Sequence, residues 1–289
     1  MKKFAATELV LNSKNQVYHL GLGPEDVSDK IILVGDQERV SLVSSQFDSI
    51  EFKANHREFF CHTGTYKNKR ISVISTGIGT DNIDIVINEI DALFNIDLDN
   101  RTEKSNKRSV ELLRIGTCGI LQADIPLHSY VLTEFAMGLD NVGHFYKVDF
   151  SSEERSLLDS ILSKRIFPEY IQPYLKKAST DLINKFDGDK CFKGITVTSS
   201  GFYGPQGREL RIPTHTRGLH EKLEHFVGYN ENRFVNFEME SSALFTLGQA
   251  LGHSCATICL GIANRPNLHF SGDYSKEMSE LITYSLDRI

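Results

Sequence analysis

The stretch Glu238-Met239-Glu240 ends the extended segment Phe234-Val235-Asn236-Phe237 and runs into the apolar stretch Ala243-Leu244-Phe245-Thr246-Leu247. Side chains two apart on a strand point the same way, so two carboxylates face one side of a strand end, beside a helix start. Acceptor-only groups set side by side repel unless something supplies donors. A vicinal diol, such as a ribose 2′,3′ pair, supplies them. The same pattern also suits a helix whose first turn carries acidic residues against the positive end of its dipole.

Three arginines stand in contexts that suit an anion. Arg39 follows the turn Val34-Gly35-Asp36-Gln37-Glu38, Arg114 precedes Ile115-Gly116-Thr117, and Arg57 lies in His56-Arg57-Glu58-Phe59. Guanidinium groups together with the backbone N–H groups of glycine turns cradle phosphate well. Thr117 adds a hydroxyl donor. Taken alone, Arg57 reads as an ordinary surface arginine. Arg114, at a strand edge beside Gly116 and Gly119, points to a ligand. Ser75-Thr76-Gly77-Ile78-Gly79 is a second glycine turn that could admit a phosphate closely. It lacks the spacing of a dinucleotide fingerprint, so no nicotinamide cofactor is expected.

Phe202-Tyr203-Gly204-Pro205-Gln206-Gly207-Arg208 gathers an aromatic, a carboxamide and a guanidinium. A planar heterocycle needs a stacking face and polar groups that read its edge. A carboxamide offers donor and acceptor to a cyclic imide, and an arginine offers a cation to a carbonyl. A turn with exposed polar residues would look the same.

The elements that must position these groups are legible in outline. Ile31-Ile32-Leu33-Val34 reads as a buried strand ended by Gly35-Asp36. Phe59 to Thr63 and Ile71 to Ser75 flank Lys67-Asn68-Lys69, a hairpin pattern. Ile83 to Leu93 predicts a helix packed on a sheet. Leu112 to Ile115 predicts a strand broken by Gly116-Thr117-Cys118-Gly119, and Ser129 to Thr133 another. Helical patterns cover Glu153 to Lys164 and Pro168 to Phe186. Gly194 to Ser199 and Ser254 to Leu260 read as strands, Ser241 to Leu251 as a helix stopped at Gly252, and the segment from Ser275 as a helix. Residues 97–108 are charged and aperiodic and predict a solvated loop or insertion. Strands and helices interleave to both ends without a linker. The expectation is one α/β domain, residues 1–289, with a mixed, mostly buried sheet.

Composition narrows the function classes. The 289 residues carry a net charge of −6, without the basic excess that holds nucleic acid or an anionic membrane. No apolar run approaches the length of a membrane span or a signal peptide. Five scattered cysteines suit reduced thiols in a cytoplasm. His215, His220 and His225 are spaced by five and cannot share a helix face, and no metal motif is present.

The chain resembles the nucleoside phosphorylase-I family, and within it the uridine phosphorylases. The matching segments follow the family's order over nearly the whole chain: Tyr18-His19-Leu20-Gly21-Leu22, Gly35-Asp36-Gln37-Glu38-Arg39-Val40, His56-Arg57-Glu58-Phe59, Ser75-Thr76-Gly77-Ile78-Gly79, Arg114-Ile115-Gly116-Thr117-Cys118-Gly119, Phe202-Tyr203 with Gln206 and Arg208, Glu238-Met239-Glu240-Ser241, and Asn264-Arg265. The resemblance implies a three-layer α/β/α domain with a partly barrel-like central sheet. It implies that Gly35, Arg39, Arg114 and Thr117 bind phosphate, with Arg57 given by a neighbouring subunit. It implies that Gln206 and Arg208 read the base edge, with Phe202 against the nucleoside. Met239 and Glu240, assisted by Glu238, would hold the ribose, and His19 of the neighbour its 5′-hydroxyl. The implied assembly is a homo-oligomer with shared sites, a hexamer of three dimers. Glu240, Arg114 and Arg208 would carry the catalysis.

Departures from the family pattern fall at Gln37, which replaces a proline, at Thr80, which replaces a glycine, and at the reversed order of Gly204-Pro205. Asn82 stands where a relative's serine helps to hold a monovalent cation, so that ion is not carried over. The implied reaction is phosphorolysis of a pyrimidine nucleoside, uridine and phosphate giving uracil and ribose 1-phosphate, with phosphate as co-substrate and neither cofactor nor metal. A purine phosphorylase would carry an aspartate near Asn264, and a nucleosidase would not need Arg39, Arg57 and Arg114. A silent nucleoside-binding protein is the alternative of a different class. A Cys118 nucleophile has no histidine near it in sequence.

Overall fold

A computed structural model describes residues 2–186, 191–228 and 231–289. The apolar run after Lys30 forms β1 (Lys30–Val34), hydrogen-bonded in parallel to strands on both sides, which is why it has no polar face. After it come α1 (Gln37–Ser44), β2 (Ser49–His56), β3 (Phe59–Tyr66) and β4 (Lys69–Ser75). The expected β3–β4 hairpin turns at Lys67 and Asn68, at φ 48° and 63°. Left-handed geometry at both central residues is the turn whose twist matches the flanking strands. Next are α2 (Thr80–Asn95), the short strands β5 (Ile96–Asp97) and β6 (Thr102–Glu103), β7 (Glu111–Ile120) and β8 (Tyr130–Gly138). The chain goes on through α3 (Ser152–Ser163), β9 (Tyr174–Lys177), α4 (Thr180–Ile183), β10 (Cys191–Thr198), α5 (Leu219–Glu224) and β11 (Phe234–Glu238). It ends with α6 (Ser241–Ala250), β12 (Ser254–Asn264), β13 (His269–Phe270) and α7 (Ser275–Leu286).

The sheet is mixed. From one edge it runs β13-β12-β8-β10-β11-β7-β1-β4-β3-β2, and β12 also pairs with β7 in parallel. That second pairing closes β7, β12, β8, β10 and β11 on themselves, a small barrel from which β1 to β4 extend as an open wing. Helices cover both sides: α2 packs on α6, and α1 packs on α7 and on β3 and β4. The result is the expected single α/β/α domain with a barrel-like core. Among the described residues no helix is long and apolar enough to cross a membrane.

Three expectations about elements need correction. β7 does not break at Gly116-Thr117-Cys118-Gly119 but runs through them to Ile120, held by β12 along its length. The predicted helix over Pro168 to Phe186 is in fact β9, a short α4 and a 3₁₀ turn. Tyr174 and Leu175 are buried and β9 pairs antiparallel with β8, so tertiary pairing overrides a helical pattern already interrupted by Pro173. Residues 97–108 are not a plain loop: Asp97 pairs with Thr102, and Thr102 bridges to Lys3 near the N-terminus.

Candidate active site

One cavity of about 980 Å³ collects the groups singled out in the sequence. Its floor is β7. Arg114 lies on that strand, 4% exposed, and its guanidinium bends back over Gly116. A Cβ at Gly116 would stand 2.1 Å from Arg114 Nη1 and 2.9 Å from Cys259 Sγ. Glycine is therefore the residue that lets a long cation lie along a continuous strand.

Two carboxylates meet this cation. Arg114 Nη1 is 3.5 Å from Glu238, at the end of β11, and Nη2 forms a short ion pair with Glu240, which starts α6. Burial works against the Arg114 charge, but Glu240 and Glu238 outweigh it and hold its pKa above the ordinary arginine value. Burial raises the Glu240 carboxyl, and Arg114 opposes that shift.

The two acids are bound differently. Glu238 accepts from Thr198 Oγ1 (2.5 Å), from the N–H groups of Glu240 (3.0 Å) and Ser241 (3.0 Å), and from Ser241 Oγ (2.9 Å). The protein itself saturates it, so it anchors the strand end, the helix start and Arg114 together. Glu240 accepts from the Gly79 N–H (2.8 Å) besides pairing with Arg114. Gly79 precedes α2 at φ 98°, a conformation for glycine. Glu240 thus faces the open cavity with acceptor capacity to offer a diol.

At one end of the cavity lie Gly35, Asp36, Gln37, Arg39 and Thr117. Asp36 caps α1 by accepting from Glu38 N–H at 2.9 Å. Burial lowers the Arg39 pKa, offset by Asp36. Arg114 Nε is buried without a partner. Cationic groups beside a helix start and a hydroxyl together suit an oxyanion.

At the other end Phe202, Gln206 and Arg208 line the wall. Arg208 stacks 3.8 Å from the centre of the Phe202 ring, donates to the Phe202 carbonyl (2.7 Å) and grips the Gln206 side-chain oxygen. Burial, and then Arg265, brings the Arg208 pKa down to about 10. Met239 and Glu240 line the same cavity.

Every residue expected in the chain's own site lines this cavity, whereas His19 and Arg57 were expected in a neighbour's. Those two stand elsewhere. His19 pairs with Glu89 at 2.7 Å, and the His19 carbonyl accepts from the His56 ring at 2.7 Å. Arg57, exposed and left-handed at φ 56°, sits 5.4 Å from the Tyr18 ring centre. Cys118 lines the cavity, but burial pushes its thiol pKa well up, which leaves no thiolate for nucleophilic attack.

Sequence reasoning missed Arg265 as a wall residue, along with the Gly79 donor and the β13 residues His269 and Phe270. Arg265 was open to the same reasoning as Arg114, since a cation directly follows a strand, β12. The Gly79 bond joins residues 161 positions apart and has no local sign.

Comparisons with known proteins agree with this geometry. Residues 29–281 match the family model described as "Phosphorylase superfamily". The chain is 30% identical over 281 residues to a uridine phosphorylase of Thermococcus kodakarensis, covering 96% of this chain and 88% of that one. It is 26% identical over 241 residues to a DeoD-type purine nucleoside phosphorylase of Alkaliphilus metalliredigens, covering 83% and 84%. Among solved structures, a Trypanosoma brucei nucleoside phosphorylase described as showing uridine phosphorylase activity superposes with a TM-score of 0.87 at 27% identity, covering 98% of this chain and all of that one. The shared fold, its length and the match over residues 29–281 place the chain in the phosphorylase superfamily.

Proposed function

We propose that the chain catalyses phosphorolysis of a pyrimidine nucleoside, uridine with inorganic phosphate giving uracil and ribose 1-phosphate. Family membership supports phosphorylase chemistry on nucleosides. The observation that supports the finer reading is a single cavity lined by a cationic oxyanion cradle, by a carboxylate and by an arginine–carboxamide pair against an aromatic ring. Those three sets of groups suit phosphate, sugar and base.

In this reading phosphate rests on Gly35, Arg39, Thr117 and the free side of Arg114 and attacks the anomeric carbon. The glycosidic bond breaks with its electron pair on the base nitrogen. Positive charge on the sugar faces phosphate and Glu240. Negative charge on the base faces Gln206 and Arg208. Catalysis is then differential stabilisation of a charge-separated transition state in a site largely removed from water. Glu238 acts as a positioning residue, and Met239 lies along the sugar. His19 and Arg57 serve a neighbouring subunit's cavity, so the working unit is a homo-oligomer built from dimers. The proposed place of action is the cytoplasm.

The purine alternative is favoured less. Asn264 donates both amide hydrogens, to the carbonyls of Gln122 (3.0 Å) and Ile125 (2.9 Å), and accepts from Asn267 N–H (2.9 Å). A carboxamide so committed has no proton to give a purine nitrogen. The test is release of free base from uridine, thymidine, inosine and methylthioadenosine, each with phosphate. Uridine should be cleaved fastest. Faster cleavage of inosine would replace this reading with the purine one.

A further inference from the structure

Glu89 lies on α2 and reaches the segment before β1. Its Oε2 accepts from the backbone N–H groups of His19 (3.1 Å) and Leu20 (2.8 Å), and its Oε1 takes the His19 ring at Nδ1 (2.7 Å). One carboxylate, its side chain 14% exposed, therefore fixes both the main chain and the ring of His19. Other groups lock the same residue. The His19 carbonyl accepts from the His56 ring at 2.7 Å, and the Tyr18 ring meets the His19 ring edge to face, 5.0 Å between centres. Arg57 stands over the Tyr18 ring. His19 and Arg57, both outside the chain's own cavity, are thereby joined in one patch.

The clamp decides where the ring carries its proton. An ionised carboxylate can only accept, so the hydrogen of the His19–Glu89 bond belongs to Nδ1. In the neutral ring Nε2 then has a lone pair and no hydrogen. Among the described residues Nε2 has no hydrogen-bond partner, and the His19 side chain is 31% exposed. We propose that Glu89 is a positioning residue for the neighbouring subunit's substrate: by holding the Nδ1–H tautomer of His19 it makes Nε2 an acceptor, which selects nucleosides with a hydrogen-bond donor at the 5′ position. The inference rests on the reading above that His19 serves a neighbour's cavity, and it adds what sets the ring's proton and what the ring then selects. On this account α2 serves two sites. Gly79, at its start, donates to Glu240 of the chain's own cavity, and Glu89, in its third turn, orients the ring offered to the neighbour's.

Glu89→Gln separates the clamp from its proton rule. The amide oxygen can keep the two backbone N–H groups that Oε2 already holds. The NH2 group then faces Nδ1, which must accept, so the ring proton moves to Nε2 and makes it a donor. A 5′-hydroxyl can turn to donate or accept, whereas a 5′-ammonium only donates. The experiment measures kcat/KM with phosphate at about pH 7.5, above the ordinary histidine range, for uridine, 5′-deoxyuridine and 5′-amino-5′-deoxyuridine. In the wild type, loss of the 5′ donor in 5′-deoxyuridine should cost roughly tenfold. In Glu89→Gln the ratio of the 5′-amino analogue to uridine should fall roughly tenfold from its wild-type value. In protein labelled with ¹⁵N-histidine, the His19 ring, assigned by its loss in His19→Ala, should carry its proton on Nδ1 in the wild type and on Nε2 in Glu89→Gln. An unchanged ratio in Glu89→Gln, or a wild-type proton on Nε2, would overturn the proposal and leave the reading of His19 standing. The same ratio of uridine to 5′-deoxyuridine in the wild type and in His19→Ala would overturn the reading of His19 itself.

Discussion

Arg114 is buried together with Glu238 and Glu240, and its removal has two separable effects. Arg114→Ala leaves buried carboxylates unpaired, which costs about 3–5 kcal/mol of stability. Arg114→Lys keeps the charge but loses the fork that spans two acids and an oxyanion. Its melting temperature should fall by less than that of Arg114→Ala, while kcat/KM should fall on the order of a hundredfold, as for the loss of one oxyanion donor. Thermal melts and phosphate-saturation kinetics on both variants check this, and near-normal turnover in Arg114→Lys would remove Arg114 from the anion end. Glu240→Gln keeps size and an acceptor oxygen but loses the charge facing the sugar, so kcat should fall more than nucleoside affinity. A loss of affinity alone would make Glu240 a diol anchor. At this scale much was legible. The two-residue spacing of Glu238 and Glu240 put both acids on one side, as found. Their division of labour was not legible, because it is set in large part by Thr198 and Gly79, donors far away in the chain.

Local pattern succeeded at the level of elements wherever burial imposed it. β1, the β3–β4 hairpin, β11, α6 and α7 each carry the period or the turn chemistry of their environment. It failed where tertiary contacts decided. The Pro168 to Phe186 segment has apolar residues at helical spacing, yet Tyr174 and Leu175 are placed by pairing with β8. The Gly116 to Gly119 stretch looked like a break because glycine weakens a strand. Gly116 is there for the Arg114 side chain, so the local signal was displaced by the site. Gly116→Ala tests this. The added methyl meets Arg114 Nη1 and Cys259 Sγ, and overpacking of this kind costs about 1–3 kcal/mol. The expected result is a folded protein with a modestly lower melting temperature and a much larger loss in kcat/KM, measured side by side. Unchanged kinetics would mean that Arg114 does not need the space over Gly116.

The whole molecule depends on pairings no window of sequence contains. Closure of the barrel comes from β12 meeting both β7 and β8, and the cavity exists because of it. His19 and Arg57 belong to this scale too, since they lie outside the chain's own cavity. Mixing tests the proposal that they complete a neighbour's. Inactive Arg57→Ala and inactive Glu240→Ala chains, co-refolded, should regain part of the activity, because some mixed dimers hold one site with both defects and one with neither. No recovery in a preparation shown to contain mixed dimers would mean that each chain builds its site alone. In the proposed reaction phosphate, not water, takes the sugar. The most direct measurement is the yield of uracil and ribose 1-phosphate from uridine with the wild-type protein, with and without phosphate. The two products should appear in equal amounts with phosphate, and no uracil should appear without it. Uracil released without phosphate, or none released with it, would contradict the account.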